Sequence, residues 1–153
     1  QLHILVLLLF FAPSGKRSTN QNKMADFSGK WVFDHGENME FLIEKLKIDP
    51  SKIPSDKSST VEITQNGDNF KIKTTGSGGK SRDISYSIGQ SFIDPDIKEL
   101  RGKEIEVTPS WQGGKLVLAG PKGNSATREM VGAQMVVTFN WEGQAGKRFF
   151  NKA

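Results

Sequence analysis

Cysteine is absent from this 153-residue chain, and histidine occurs only as His3 and His35. The absence of cysteine excludes disulfide bonds, cysteine-bound zinc and a thiol nucleophile. Two histidines so far apart in the sequence do not make a His-based metal cluster. No Ser/His/acid set and no phosphate-binding loop is found among the remaining residues. We therefore expect neither an enzyme nor a metal or other cofactor.

Acidic side chains are absent before Asp26, whereas the same segment contains the basic residues Lys16, Arg17 and Lys23. The formal net charge of +4 comes mostly from this segment, because 18 basic and 17 acidic residues remain when residues 1–23 are set aside. Nucleic-acid binding requires clustered positive charge on the folded part of a protein. We therefore expect no nucleic-acid partner.

Residues 1–23 are interpreted as a leader that is not part of the folded domain. Leu2 to Phe11 is an apolar run of about ten residues, which is too short to span a bilayer. Small residues follow at Ala12 to Ser14, as a signal peptidase requires. One interpretation is a signal peptide in residues 1–15 and a secreted protein. The other, which we favour, is a start at Met24 and a cytoplasmic protein.

Helical periodicity occurs in one place, between Asn38 and Lys47. The apolar residues of this segment recur at three- and four-residue spacing, with charged residues on the opposite face: they are Met39, Leu42, Ile43 and Leu46. Asn38 is the expected N-cap. Asp49-Pro50 begins a second short turn of helix, because proline is tolerated at the first helical position, and Pro54 limits its length. The pattern predicts a brief helix-turn-helix.

The rest of the chain alternates between apolar and polar residues in short segments separated by tight turns. Asn66-Gly67-Asp68 is a strong hairpin signal, and Gln112 to Lys115 is another. The segment from Asp94 to Asp96 is interpreted as a turn without an assigned role. Strands at a spacing of about ten residues indicate an antiparallel meander. Because closure removes exposed edges, we predict an all-β, ten-stranded, up-and-down antiparallel barrel capped by the helix-turn-helix.

Several motifs in this layout are similar to those of the intracellular lipid-binding proteins, the family of fatty-acid-binding and cellular retinoid-binding proteins. The first is Gly29-x-Trp31-x-Phe33, followed by Asn38 and the helical segment, although Met39 stands where the family has Phe or Tyr. The others are Gly113-Gly114-Lys115-Leu116-Val117 and Thr127-Arg128-Glu129-Met130. The resemblance covers Met24 to Ala153. It implies a calycin-like clam barrel over residues 24–153.

The resemblance also implies a carboxylate site at Arg128, Arg148 and Phe150. Phe150 stands where the family has Tyr, so one hydroxyl donor is missing. Strand alternation puts Arg148 and Phe150 on one face. An arginine inside a barrel is costly unless it is paired, and a ligand carboxylate can pair with it through charge-assisted hydrogen bonds.

The implied function is that of an intracellular carrier for a long-chain fatty acid, held inside the barrel for solubilisation and transport. The alternative within the fold is a carrier of a retinoid acid of the retinoic acid type. The expected cavity-lining residues are Met39, Ile43, Val137 and Phe139, whereas Trp31 is interpreted as core. We expect a monomer.

Four lysines surround the helical segment: Lys45, Lys47, Lys52 and Lys57. Acidic residues are interleaved with them, which is typical of a solvated helical face. The other interpretation is a weakly basic collar that makes transient contact with anionic membranes during ligand transfer.

Overall fold

The computed structural model describes residues 25–53, 56–76 and 79–153. Its strands are β1 (Gly29–Glu37), β2 (Thr60–Asn66), β3 (Asn69–Thr75), β4 (Ser81–Ser87), β5 (Phe92–Ile93), β6 (Glu106–Gln112), β7 (Lys115–Ala119), β8 (Ser125–Val131), β9 (Gln134–Trp141) and β10 (Gln144–Lys152). Two α-helices, α1 (Glu40–Lys45) and α2 (Pro95–Arg101), and two 3₁₀ turns, Pro50–Lys52 and Pro121–Gly123, complete the described elements. The predicted leader lies outside the described residues, as do Pro54 and Ser77-Gly78.

All ten strands belong to one antiparallel sheet in the order β4-β3-β2-β1-β10-β9-β8-β7-β6-β5. The predicted ten-stranded barrel is confirmed. Consecutive strands pair except for β4 and β5, and the hairpin signal at Asn66-Gly67-Asp68 is confirmed because Asn66 pairs with Asn69. Gly67 has a φ of 60°, which glycine adopts without steric cost. The first and last strands also pair, and this pairing curls the sheet into a nearly closed barrel.

A seam separates β4 from β5, because these two strands are the ends of the hydrogen-bonded order. Strand β5 consists of only two residues, Phe92 and Ile93, and both pair with β6. The chain between β4 and β5 is held by backbone bonds from the Ile88 amide to Asp68 and from the Gly89 amide to Pro109. The barrel is therefore closed along its wall except at this seam.

The helical segment after β1 differs from its prediction at its first residue. Met39, not Asn38, is the N-cap of α1, and the Met39 side chain makes no capping hydrogen bond. Asn38 has a φ of 55°, and its Nδ2 donates to the Ala145 carbonyl over 2.9 Å. Asn38 therefore attaches the start of α1 to β10, and the expected N-cap was wrong. The second helical turn forms as a 3₁₀ turn that is capped by Asp49.

The interpretation of Asp94 to Asp96 as a simple turn was wrong, because α2 begins there. The Asp94 side chain accepts hydrogen bonds from the backbone amides of Asp96 and Ile97. Pro95 is the first helical residue, and Gly102 ends the helix with a φ of 69°. These are strong start and stop signals. Neither helix of the described residues is long and apolar enough to cross a membrane.

The hydrophobic core lies on the inner face of the barrel. It is built from alternate residues of most strands, because residues at i and i+2 share a face: Phe27, Trp31, Phe33, Val61, Ile63, Phe70, Ile72, Tyr86, Leu116, Met135 and Phe150. Trp31 is a core residue, as predicted, and is only 1% exposed. Its indole Nε1 donates to the Phe27 carbonyl over 2.8 Å.

Gly146 allows α1 to pack directly against β10. A Cβ at this position would lie 2.9 Å from Leu42 Cδ1, 2.9 Å from Met39 Sδ and 3.0 Å from the backbone oxygen of Asn38. The two side-chain ends can move, but the Asn38 oxygen belongs to a segment attached to β10. The absence of a side chain at Gly146 therefore sets how close the helix lies to the barrel.

We expect Gly146→Ala to lower the free energy of unfolding by about 1–3 kcal/mol, the usual cost of overpacking a well-packed site. Denaturant unfolding followed by circular dichroism measures this change. The control is Lys147→Ala, an exposed neighbour on the other face of β10, for which we expect a change within about 0.5 kcal/mol. Equal stability of Gly146→Ala and the wild type would contradict the close packing of α1.

Candidate ligand site inside the barrel

Arg128 and Arg148 lie on the same inner row of the barrel. Arg128 of β8 is paired with Val137 of β9, and Val137 is paired with Arg148 of β10. Directly opposite residues of antiparallel strands point to the same face. The row continues from Arg128 to Leu116 of β7 and Trp111 of β6, and Leu116 is a core residue. All five side chains therefore face the interior, with the two arginines separated by one strand.

Arg148 lies between two core aromatic rings. Its guanidinium carbon is 4.7 Å from the centroid of Phe33 and 5.3 Å from that of Phe150, a distance at which cation–π attraction operates. Burial lowers the pKa of Arg148 to about 10, while the nearby Asp96 carboxylate acts in the opposite direction. The side chain is therefore cationic at neutral pH, although burial disfavours its charge.

The Arg128 guanidinium contacts a methionine sulfur. Its Nη1 donates to Met135 Sδ over 3.4 Å, and thioether sulfur is a weak acceptor. Burial lowers the pKa of Arg128, whereas Tyr86 and Asp96 raise it. Loss of water is thus the largest influence on its charge. A carboxylate in the interior would be a much stronger acceptor for this guanidinium than the methionine sulfur.

The other site residues predicted from the sequence lie around this row. Phe150 is 2% exposed and contacts Arg148 and Phe33 rather than lining open space. Phe139 is two residues along β9 from Val137, so it shares the inner face, and both are half-buried. Met39 is half-buried and lies over Gly36 and Gly146. Ile43 is half-buried on α1, and its role in lining the cavity stays a prediction.

Two cavities lie near these residues. A small one of about 20 Å³ touches Arg128 and is lined by Leu116, Leu118, Ala126, Thr127, Arg128 and Val137. A cleft of about 410 Å³ lies where β2, β3 and β4 meet the chain before β5, with Phe70, Tyr86 and Phe92 among its walls. Neither arginine lines this larger cleft, although Tyr86 does.

Helix α2 is attached to the barrel at both of its ends, which the sequence interpretation did not foresee. Near its start, Asp96 and Glu99 form ion pairs with Arg82 of β4, so the helix bridges the seam. At its end, the guanidinium carbon of Arg101 lies 4.8 Å from the centroid of the Trp141 ring. Burial raises the pKa of Asp96, Asp94 raises it further, and Arg82 lowers it.

Helix α1 is attached to the same end of the barrel as α2. Lys45 Nζ lies 2.6 Å from Glu142 Oε2, and Glu142 follows the Trp141 that contacts α2. Lys57 Nζ lies 3.5 Å from Asp34 Oδ1. Two of the four lysines in the predicted collar thus have acidic partners, which favours the interpretation of a solvated face over that of a membrane-binding collar.

No group of three or more His, Asp or Glu side chains within the described residues is arranged to hold a metal ion. The site is instead two cationic side chains in an apolar interior. Such an arrangement binds and orients an anionic group, and an apolar tail attached to that group would find apolar neighbours along the same strands.

A ten-stranded antiparallel barrel with two short helices and two arginines facing its interior is the architecture of a lipid-binding β-barrel. The sequence model of the Lipocalin / cytosolic fatty-acid binding protein family matches residues 24–149, and the chain belongs to this family. It is 31% identical to bovine (Bos taurus) intestinal fatty acid-binding protein over 133 residues, which cover 82% of the chain and 98% of the bovine protein.

Two further proteins have similar sequences or structures. Cellular retinoic acid-binding protein 1 of Pelodiscus sinensis is 26% identical, over 76% of the chain and 90% of that protein. The solved structure of human cRBP IV superimposes with a TM-score of 0.71 at 26% identity, covering 84% of the chain and 99% of the human protein. The family is one of lipid carriers rather than enzymes.

Proposed function

We propose that this protein is an intracellular carrier that holds a long-chain fatty acid inside its barrel, with the carboxylate at Arg128 and Arg148. One observation carries the proposal: two arginines face the interior from one row, and burial lowers the pKa of both. A guanidinium forms strong, charge-assisted and often bidentate hydrogen bonds with a carboxylate. A fatty acid supplies this carboxylate, and its tail suits the apolar core.

The apolar tail would supply most of the binding free energy. Each buried methylene contributes about 0.8 kcal/mol, so a tail of about fifteen methylenes contributes on the order of 12 kcal/mol. Association and ordering cost roughly several kcal/mol or more of this gain. The remainder corresponds to a dissociation constant of about 1 μM or below.

The relatives support a fatty acid over other lipid acids. Several intestinal fatty acid-binding proteins of mammals match at 28–31% identity, whereas the retinoic acid-binding relatives match at 25–26%. Retinoic acid is the second candidate, since it also combines a carboxylate with an apolar body. We propose a cytoplasmic location, because the matching family is described as cytosolic, a monomeric carrier domain of residues 24–153, and no nucleic-acid partner.

Native mass spectrometry of the purified protein tests this function through the mass of its bound lipid. We expect a one-to-one adduct with the mass of a long-chain fatty acid, and displacement of a fluorescent fatty acid by added palmitate. Displacement by retinoic acid but not by palmitate would favour the second candidate. Absence of binding to either acid would overturn the proposal. Mass analysis of the N-terminus of the protein from its native tissue separates a start at Met24 or Ala25 from a processed secretory form.

A further inference from the structure

Tyr86, the only tyrosine of the chain, points into the barrel from β4. It is 7% exposed, and its ring stacks on Phe70 and Phe92, with centroid separations of 5.2 and 5.1 Å. A ring held on both faces has little freedom to turn its hydroxyl toward solvent. The position of the hydroxyl is therefore fixed by packing.

The Tyr86 hydroxyl is buried, and its O–H proton has no hydrogen-bond acceptor among the described residues. The same is true of the indole Nε1 of Trp111. Buried polar groups are nearly always hydrogen-bonded in folded proteins, and each exception requires an explanation. Two unpartnered donors facing one interior are such an exception.

Both groups belong to the surroundings of Arg128. Trp111 lies on the inner row of Arg128, with Leu116 between them. Tyr86 is connected to Trp111 through Phe70, whose ring centroid lies 5.2 Å from that of Tyr86 and 6.1 Å from that of Trp111. Burial raises the pKa of the Tyr86 phenol, and it outweighs the charge of Arg128 and the interaction of Arg128 with the phenol oxygen, which lower it. The phenol thus keeps its proton at neutral pH and is available as a hydrogen-bond donor.

We propose that the Tyr86 hydroxyl is a head-group donor, which together with Arg128 binds the ligand carboxylate, and that Trp111 Nε1 assists it. This inference rests on the proposed function and makes it more specific. Tyr86 would supply from β4 the hydroxyl that is missing at Phe150 on β10. A carboxylate accepts hydrogen bonds from a guanidinium, a phenol and an indole at once. An ester has no charge for Arg128, so the site selects the free acid.

The test compares palmitate with methyl palmitate on the full chain carrying Tyr86→Phe. This substitution keeps both ring stacks and removes one oxygen atom. We expect about tenfold weaker palmitate binding, the usual effect of removing one hydrogen bond to a charged group, and methyl palmitate binding within about twofold of the wild type. Isothermal titration calorimetry measures both. Phe92→Leu is the matched control, since it disturbs the same stack without removing a donor and should weaken both ligands equally.

Stability measurements separate a head-group donor from a merely structural residue. Without ligand, Tyr86→Phe should unfold within about 0.5 kcal/mol of the wild type, because the lost O–H has no acceptor in the described structure. With saturating palmitate, its melting temperature should rise less than that of the wild type. Unchanged palmitate affinity in Tyr86→Phe overturns the inference and leaves the proposed function intact. Failure of the wild type to bind palmitate overturns both.

Discussion

Arg128→Gln is expected to weaken palmitate binding by about tenfold to a hundredfold, the range given by losing a charge-assisted hydrogen bond. Glutamine keeps an amide donor, on a shorter side chain, and removes the positive charge. In the wild type, Nη1 of the guanidinium donates to the Met135 sulfur over 3.4 Å, and because this sulfur is a weak acceptor, a carboxylate gains much from binding there. Methyl palmitate should bind within about twofold of the wild type, because its head group carries no charge for Arg128.

Displacement of a fluorescent fatty acid by each lipid, at one ionic strength, measures the two affinities. Arg101→Gln is the matched control, since it removes the same charge from a side chain that contacts Trp141 on α2 rather than the inner row. We expect the control to bind both lipids nearly as the wild type does. An equal loss of palmitate and methyl palmitate in Arg128→Gln would show that the residue acts through packing rather than through its charge.

Trp31→Ala should lower the free energy of unfolding by about 3–5 kcal/mol, the range for deleting a large buried aromatic side chain. Trp31 is 1% exposed and belongs to the core cluster. Its loss also leaves the Phe27 carbonyl without the indole donor, and an unsatisfied buried acceptor adds to the cost. Phe27 in turn is held through its amide by Gln65, so the N-terminal end of β1 should loosen as well.

Urea unfolding monitored by circular dichroism measures the Trp31 effect. Val32→Ala is the control, because Val32 points to the opposite face of β1 and is only half-buried. We expect it to cost about 1 kcal/mol or less. A loss of similar size in both variants would mean that β1 contributes through its strand propensity and not through the burial of Trp31.

The fold could be predicted from local patterns because each strand and turn has a local signal. Trp31 and Phe33 alternate with polar neighbours, and both are buried. Asn66-Gly67-Asp68 predicts its hairpin from turn chemistry alone. Helix α2 also has a local signal, with an aspartate N-cap, proline at the first position and a glycine at the end. Its seven residues are too few to show a helical periodicity of apolar residues.

Other features depend on contacts between distant residues, which local patterns do not contain. Asparagine is a residue type favoured at N-caps, but the side chain of Asn38 instead donates a hydrogen bond to the carbonyl of Ala145, 107 positions away. Arg128 lies on the inner row because of the register between β8 and β9. Apolar residues on both faces of β9 do not reveal this register, and only the family resemblance indicated it. Tyr86 gave no signal as a site residue, because its approach to Arg128 across the seam arises only when the sheet curls.

The pairing of β1 with β10 has a consequence for biosynthesis. Trp31 is partnered by Lys152, and Glu37 by Lys147, so β1 has no partner on this side until β10 has been made. Contacts this far apart in sequence slow folding, because a long loop must close before they form. A chain that ends before β10 lacks both the partner of β1 and Arg148. Incomplete translation products therefore have an unpaired edge at β1 and lack one arginine of the proposed site. Both defects favour degradation, because an incompletely folded chain is a substrate for proteases.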